Sequence, residues 1–193
     1  LILQMKKTME KHLDIKVEGK KQILLCNTNR EAKNFLKSLE VRKDGNYQKI
    51  PHFLIEKTGK IHELANDDVK DHFLCGYVQD NDDIIVICLE NLGWLKRRNT
   101  DGKYVTWLGD IYKSKVYEKK WRGKLYWDTY PDEQMNKTVE LIEKICEKKN
   151  IPKRYIGHNV LVEGVEHFSG IVSRSNYNEY WMDINPSFNF ELI

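Results

Sequence analysis

The chain has 193 residues, enough for one hydrophobic core with extensions and too few for two ordinary domains. Its 32 Lys and Arg against 29 Asp and Glu leave a formal charge of +3, with basic residues spread along the sequence, which argues against a nucleic-acid partner. No run approaches the ~18–20 apolar residues of a membrane span, the start lacks the apolar core of a signal peptide, and Cys26, Cys75, Cys88 and Cys146 show no paired spacing, so synthesis in a reducing cytosol is expected.

Residues 1–19 are polar with scattered apolar positions and read as a leader or edge segment, followed by a single domain over 20–193. The run 23–26 is too short for a helix and reads as a buried strand. Thr28 or Asn29 can cap a helix through Leu39, with Phe35, Leu36 and Leu39 on one face. Residues 53–64 read as a hairpin about Thr58-Gly59, since glycine tolerates the positive φ of a tight turn. The unbroken apolar run 84–89 predicts a central strand covered on both faces. Residues 92–127 hold Trp94, Trp107, Trp121 and Trp127 without clear periodicity, and are expected to form an ordered loop region beside a site or, alternatively, packing contacts on the sheet edge. Pro131 opens a helix in which Met135, Val139, Ile142 and Cys146 recur at helical spacing up to Asn150. Residues 154–158 then read as a short strand that delivers His158 to the end of the sheet.

Two side chains near the C terminus suit one zinc ion: the His158 imidazole at a strand end, and the Asp183 carboxylate ahead of Pro186. A third ligand, the Cys26 thiol, lies where the first apolar run meets Asn27-Thr28-Asn29. Each has a plainer reading. Cys26 is equally a small core residue, His158 a hydrogen-bonded core histidine and Asp183 a turn residue.

This order of pieces resembles the zinc amidase family that contains N-acetylmuramoyl-L-alanine amidases, phage lysozymes of amidase type and peptidoglycan-recognition proteins. In that family a His ends the first core strand, a Gly-His pair follows the long helix, and an Asp or Cys precedes Pro-x-Phe. The corresponding positions look like Cys26, Gly157-His158, and Asp183 before Pro186-Ser187-Phe188. Residues 51–61 resemble the family's central hairpin, 84–91 its buried middle strand, and Tyr130-Pro131-Asp132-Glu133-Gln134 the opening of its long helix. The resemblance runs from about residue 20 to the C terminus. It implies an α/β fold, a central mixed sheet flanked by helices, with a metal groove at the strand ends and an aromatic-rich insertion.

The resemblance further implies zinc as cofactor, peptidoglycan or muropeptide as partner, and hydrolysis of the amide between N-acetylmuramic acid and L-alanine by metal-activated water. Three positions depart from the family: Cys26 replaces a His, Cys88 an acid on the middle strand, and Trp181 a Lys two positions before the last ligand. Glu90, on the same strand face as Cys88, is the candidate displaced acid or base. Arg174 is the candidate for oxyanion or substrate-carboxylate binding. His52, His72, Trp94 and Asn159 are candidate substrate contacts, with His52 also a back-up metal ligand. The leading expectation is a phage or prophage hydrolase, made in the cytoplasm and acting at the bacterial cell wall after release. The rival is a catalytically impaired module that binds muropeptide, another small ligand, or a protein partner through residues 92–127, and stays cytoplasmic.

Overall fold

The computed structural model describes residues 16, 18–41, 50–70, 83–157 and 160–193. In chain order, β1 (Gln22–Asn27) leads into α1 (Ala32–Val41), then the hairpin β2 (Phe53–Ile55) and β3 (Ile61–Glu63), then β4 (Ile84–Leu89). After an insertion of five strands come α2 (Asp132–Lys149), β10 (Gly170–Ser173) and the single turn α3 (Arg174–Tyr177). β10, β1, β4, β2 and β3 form one sheet in that order, with every neighbouring pair parallel except the β2–β3 hairpin.

Every residue of β1, β4 and β10 is buried, as parallel strands covered on both faces require. Alternate residues divide between two cores. Ile23, Leu25, Ile85, Ile87 and Ile171 pack against Met135, Ile142 and Ile145 of α2. Leu24, Cys26, Val86, Cys88 and Val172 face the other way, where Ala32, Phe35 and Leu36 of α1 cover them together with Trp181. Gly59, at φ +80°, turns the β2–β3 hairpin so close to α2 that an added Cβ would lie 2.9 Å from Glu133 Cγ.

The insertion is strand-built, not a loop region. β5 (Trp94–Arg97), β6 (Tyr104–Val105), β7 (Ile111–Tyr112), β8 (Val116–Trp121) and β9 (Lys124–Asp128) form an antiparallel sheet in the order β7, β6, β5, β9, β8. The turn between β8 and β9 sets Arg122 at φ 45° and Gly123 at φ 75°, the paired positive values of a tight hairpin whose twist matches its strands. Asp128, fully buried, ties this sheet to the first one. It accepts hydrogen bonds from Lys57 Nζ at 2.5 Å, Tyr112 Oη at 2.6 Å and the Leu92 amide at 2.7 Å.

The chain after α2 does not form the strand expected from residue 154 onward. Among residues 154–157 only Tyr155 pairs with the sheet, through one parallel bridge to Ile171. The strand beside β1 is β10, because Gly170–Ser173 is apolar enough to be buried on both faces while Pro152, Lys153 and Arg154 are exposed.

Candidate functional site

The carboxyl ends of β10, β1, β4 and β2 open on one edge of the first sheet, the usual location of a site in an open α/β sheet. The register aligns their side chains. Ser173 lies opposite Leu25 and Cys26 opposite Cys88, so Arg174 follows Ser173 as Cys26 follows Leu25. Three adjacent strand ends therefore present Arg174, Cys26 and Cys88.

The Cys26 and Cys88 sulfurs lie 2.7 Å apart, and neither residue is exposed. Burial, reinforced by Cys88, pushes the Cys26 thiol well above its usual pKa and keeps it protonated. Arg174 donates from Nε and Nη2 to Asp183 Oδ1 at 3.1 and 3.0 Å, and its Nη2 lies 2.9 Å from Oδ2. The Asn27 amide donates to Oδ2 at 3.0 Å. Burial alone would lower the Arg174 pKa, but the Asp183 carboxylate outweighs it and holds the guanidinium charged.

Further contacts fix this pair. The Arg174 guanidinium sits 5.0 Å from the Trp181 ring centroid. Tyr130 Oη donates to Asn27 Oδ1 at 2.7 Å, and burial raises the pKa of that phenol well above the usual range. Asn185 Nδ2 bridges to Asn91 Oδ1 at 2.9 Å and to the Asp128 carbonyl at 3.1 Å, which links the terminal segment to the base of the insertion. From the β8–β9 turn, Arg122 donates to the carbonyls of Asn178, Ser175 and Trp181. Trp107 Nε1 donates to the Asn29 carbonyl at 2.7 Å. The insertion thus clasps the strand-end edge from two sides, and a pocket of about 300 Å³ lies between, lined by Trp94, Trp107, Tyr180 and Trp181 together with Arg174 and Asp183.

Of the residues singled out from the sequence, Arg174, Asp183 and Trp94 meet at this pocket, with Cys26 beneath it on β1. Glu90 is a structural tie. Its Oε1 accepts the Ala32 amide at 2.9 Å and its Oε2 the Lys57 amide at 2.8 Å, so it holds α1 and the β2–β3 hairpin to the end of β4. His52 precedes β2, at the opposite end of the sheet, and is 1% exposed. Its Nδ1 accepts the Val86 amide at 3.0 Å, which leaves Nε2 to donate to the Val69 carbonyl at 3.2 Å. That burial, with Lys20 nearby, lowers its pKa to about 4 and makes it a core histidine instead of a ligand or substrate contact. His72, His158 and Asn159 lie outside the described residues. Arg122 and Tyr180 went unread in the sequence, and Trp107 was read only as part of the tryptophan-rich insertion. Only Arg122 carries a local signal, the Arg-Gly turn between two aromatic-rich runs.

The two described members of the expected ligand set, Cys26 and Asp183, do not fit a zinc ion as they are placed. A zinc ligand must be deprotonated and open to the metal. Both Asp183 oxygens are engaged by the Arg174 guanidinium, which already supplies the positive charge there, and the Cys26 sulfur abuts the Cys88 sulfur. The orphan polar atom at this centre, Asn27 Nδ2, is an N–H donor that cannot ligate a cation. Among the described residues, no three His, Cys, Asp or Glu side chains converge on a metal position.

Among curated proteins none matches this sequence. Among solved structures, the fold is similar to the N-acetylmuramyl-L-alanine amidase AmiD from E. coli, in complex with anhydro-N-acetylmuramic acid-L-Ala-D-gamma-Glu-L-Lys. The two are 15% identical with a TM-score of 0.55, over 89% of this chain and 55% of that one. AmpDh3 from Pseudomonas aeruginosa, in complex with anhydromuramic pentapeptide, is 17% identical with a TM-score of 0.55, over 89% of this chain and 58% of that one. At these identities the likeness is one of fold, and this chain spans little more than half the length of either protein. The sequence also matches the N-acetylmuramoyl-L-alanine amidase family model over residues 17–175. With most of its length matched, and with the strand order and strand-end site just described, the chain belongs to the N-acetylmuramoyl-L-alanine amidase family.

Proposed function

We propose that this domain binds the muropeptide portion of bacterial peptidoglycan in the aromatic pocket over Arg174 and Asp183, without zinc chemistry. The observation that carries this reading is the Arg174–Asp183 ion pair at the strand ends, where the family's hydrolysis needs open metal ligands. Membership of the family supplies the substrate class. The pocket suits it chemically, since a muropeptide joins a sugar ring to a short peptide bearing carboxylates. The faces of Trp94 and Trp107 can stack on the first, and Lys124, whose Nζ lies 3.9 Å from the Trp94 ring centroid, can attract the second.

The family match over residues 17–175 favours a second reading, amide hydrolysis between N-acetylmuramic acid and L-alanine by a phage or prophage enzyme released at the cell wall. That reading requires zinc held by Cys26, His158 and Asp183. One pair of measurements separates the two. Calorimetry with an anhydromuramyl tripeptide in the presence of a chelator reports metal-free binding, and digestion of purified peptidoglycan with added zinc reports released stem peptide. Binding with no release supports the first reading, zinc-dependent release the second. Neither binding nor release overturns both.

A further inference from the structure

We propose that Arg174 is the resident cation of this centre, and that its guanidinium excludes a divalent metal from the ends of β10 and β1. The topology supplies the position. β10 lies against β1 on the side away from β4, and Tyr155 lies beyond β10, so Arg174 is the charged side chain that β10 brings next to Cys26.

The charge arithmetic points the same way. A buried carboxylate needs a counter-ion, and Asp183, 1% exposed, has one within 3.1 Å on each oxygen. Zinc would bond those same oxygens at about 2.0–2.2 Å, and two cations cannot share that space without strong mutual repulsion. Arg174 is in turn fixed in place, because Trp181 flanks its guanidinium, and Arg122 holds the Trp181 and Ser175 carbonyls on either side of the pair. The cation is thus built into the fold and needs no loading.

This inference deepens the metal-free half of the reading above and makes no use of muropeptide. Metal content, read without any ligand, therefore fails or succeeds separately from muropeptide binding. The test compares the wild-type chain with Arg174→His, each purified without added metal, exposed to zinc, dialysed and assayed for bound zinc. Removing the guanidinium and supplying an imidazole between Cys26 and Asp183 is expected to raise the zinc content from near zero to about one per chain. Cobalt in place of zinc should give the variant a thiolate charge-transfer absorption that disappears on adding Cys26→Ala. Melting of the wild type with zinc or with a chelator covers the case in which the variant does not fold. An unchanged melting temperature supports a metal-free centre. About one zinc in the wild type, lost in Cys26→Ala, overturns the proposal, as does a folded Arg174→His chain that still takes no metal.

Discussion

Asp183 shows how a single buried charge fixes what the strand ends can do. Its carboxylate keeps the Asn27 amide and Arg174 together, so Arg174→Ala leaves a buried anion with one backbone donor. Breaking such a pair from one side should cost roughly 3–5 kcal/mol of stability, while removing both members together costs less. Urea unfolding of Arg174→Ala, Asp183→Ala and the double variant checks this, and strictly additive losses would refute it. His52 gives a second residue-scale expectation. With its pKa at about 4 in the fold against an ordinary 6.5, the unfolded chain binds its proton more readily as the pH falls through that interval. Stability from this group is therefore complete above the ordinary pKa and lost towards the lower one, by roughly 2 kcal/mol between about pH 7 and pH 5. Parallel urea titrations at the two values should show the loss, and His52→Gln should flatten it. The residue types at the site were legible in the sequence, but their pairing was not. A carboxylate before a proline is compatible with metal ligation or an ion pair, and the contact of Asp183 with Arg174 has no local signal in the sequence.

Elements were legible where periodicity had a single explanation. The apolar run of β4, the glycine turn between β2 and β3, and the spacing in α2 each correspond to the element observed. The insertion was opaque for a physical reason. Its strands are two to six residues long and half exposed, so neither an apolar run nor a clean alternation develops, and tryptophans serve both as core and as pocket wall. What holds this second sheet is a polar bolt, Asp128, and no local pattern announces a long-range tie to Lys57 and Tyr112. Asp128→Ala removes the acceptor for three donors at once and should destabilise the chain by roughly 3 kcal/mol. The loss should be uneven. Amide exchange is expected to rise first in β5–β9, while β1 and β4 remain protected. Uniform acceleration across both sheets would show that Asp128 is not a joint between them.

Charge that looks evenly spread along the chain is unevenly distributed over the molecule. Residues 94–128 hold ten Lys and Arg against four Asp and Glu, which leaves 22 against 25 in the rest of a chain whose net charge is only +3. The basic share therefore sits on the sheet that clasps the pocket, with Lys124 against Trp94 and Arg122 against the terminal segment. An acidic ligand approaching the strand ends crosses this positive field before it reaches the aromatic wall. Screening shortens that field to about 10 Å at 0.1 M salt, so muropeptide affinity should weaken several-fold between about 0.02 M and 0.3 M salt. Lys124→Gln should remove part of that slope at a cost of under about 1 kcal/mol, because its charge is only half-buried. Trp94→Ala should lower affinity equally at every salt concentration, since ring stacking is not screened. Calorimetric titration of an anhydromuramyl tripeptide across that salt range distinguishes the two contributions. A salt-independent affinity would assign binding to the aromatic wall alone, and an affinity unaffected by Trp94→Ala would move the ligand away from this pocket.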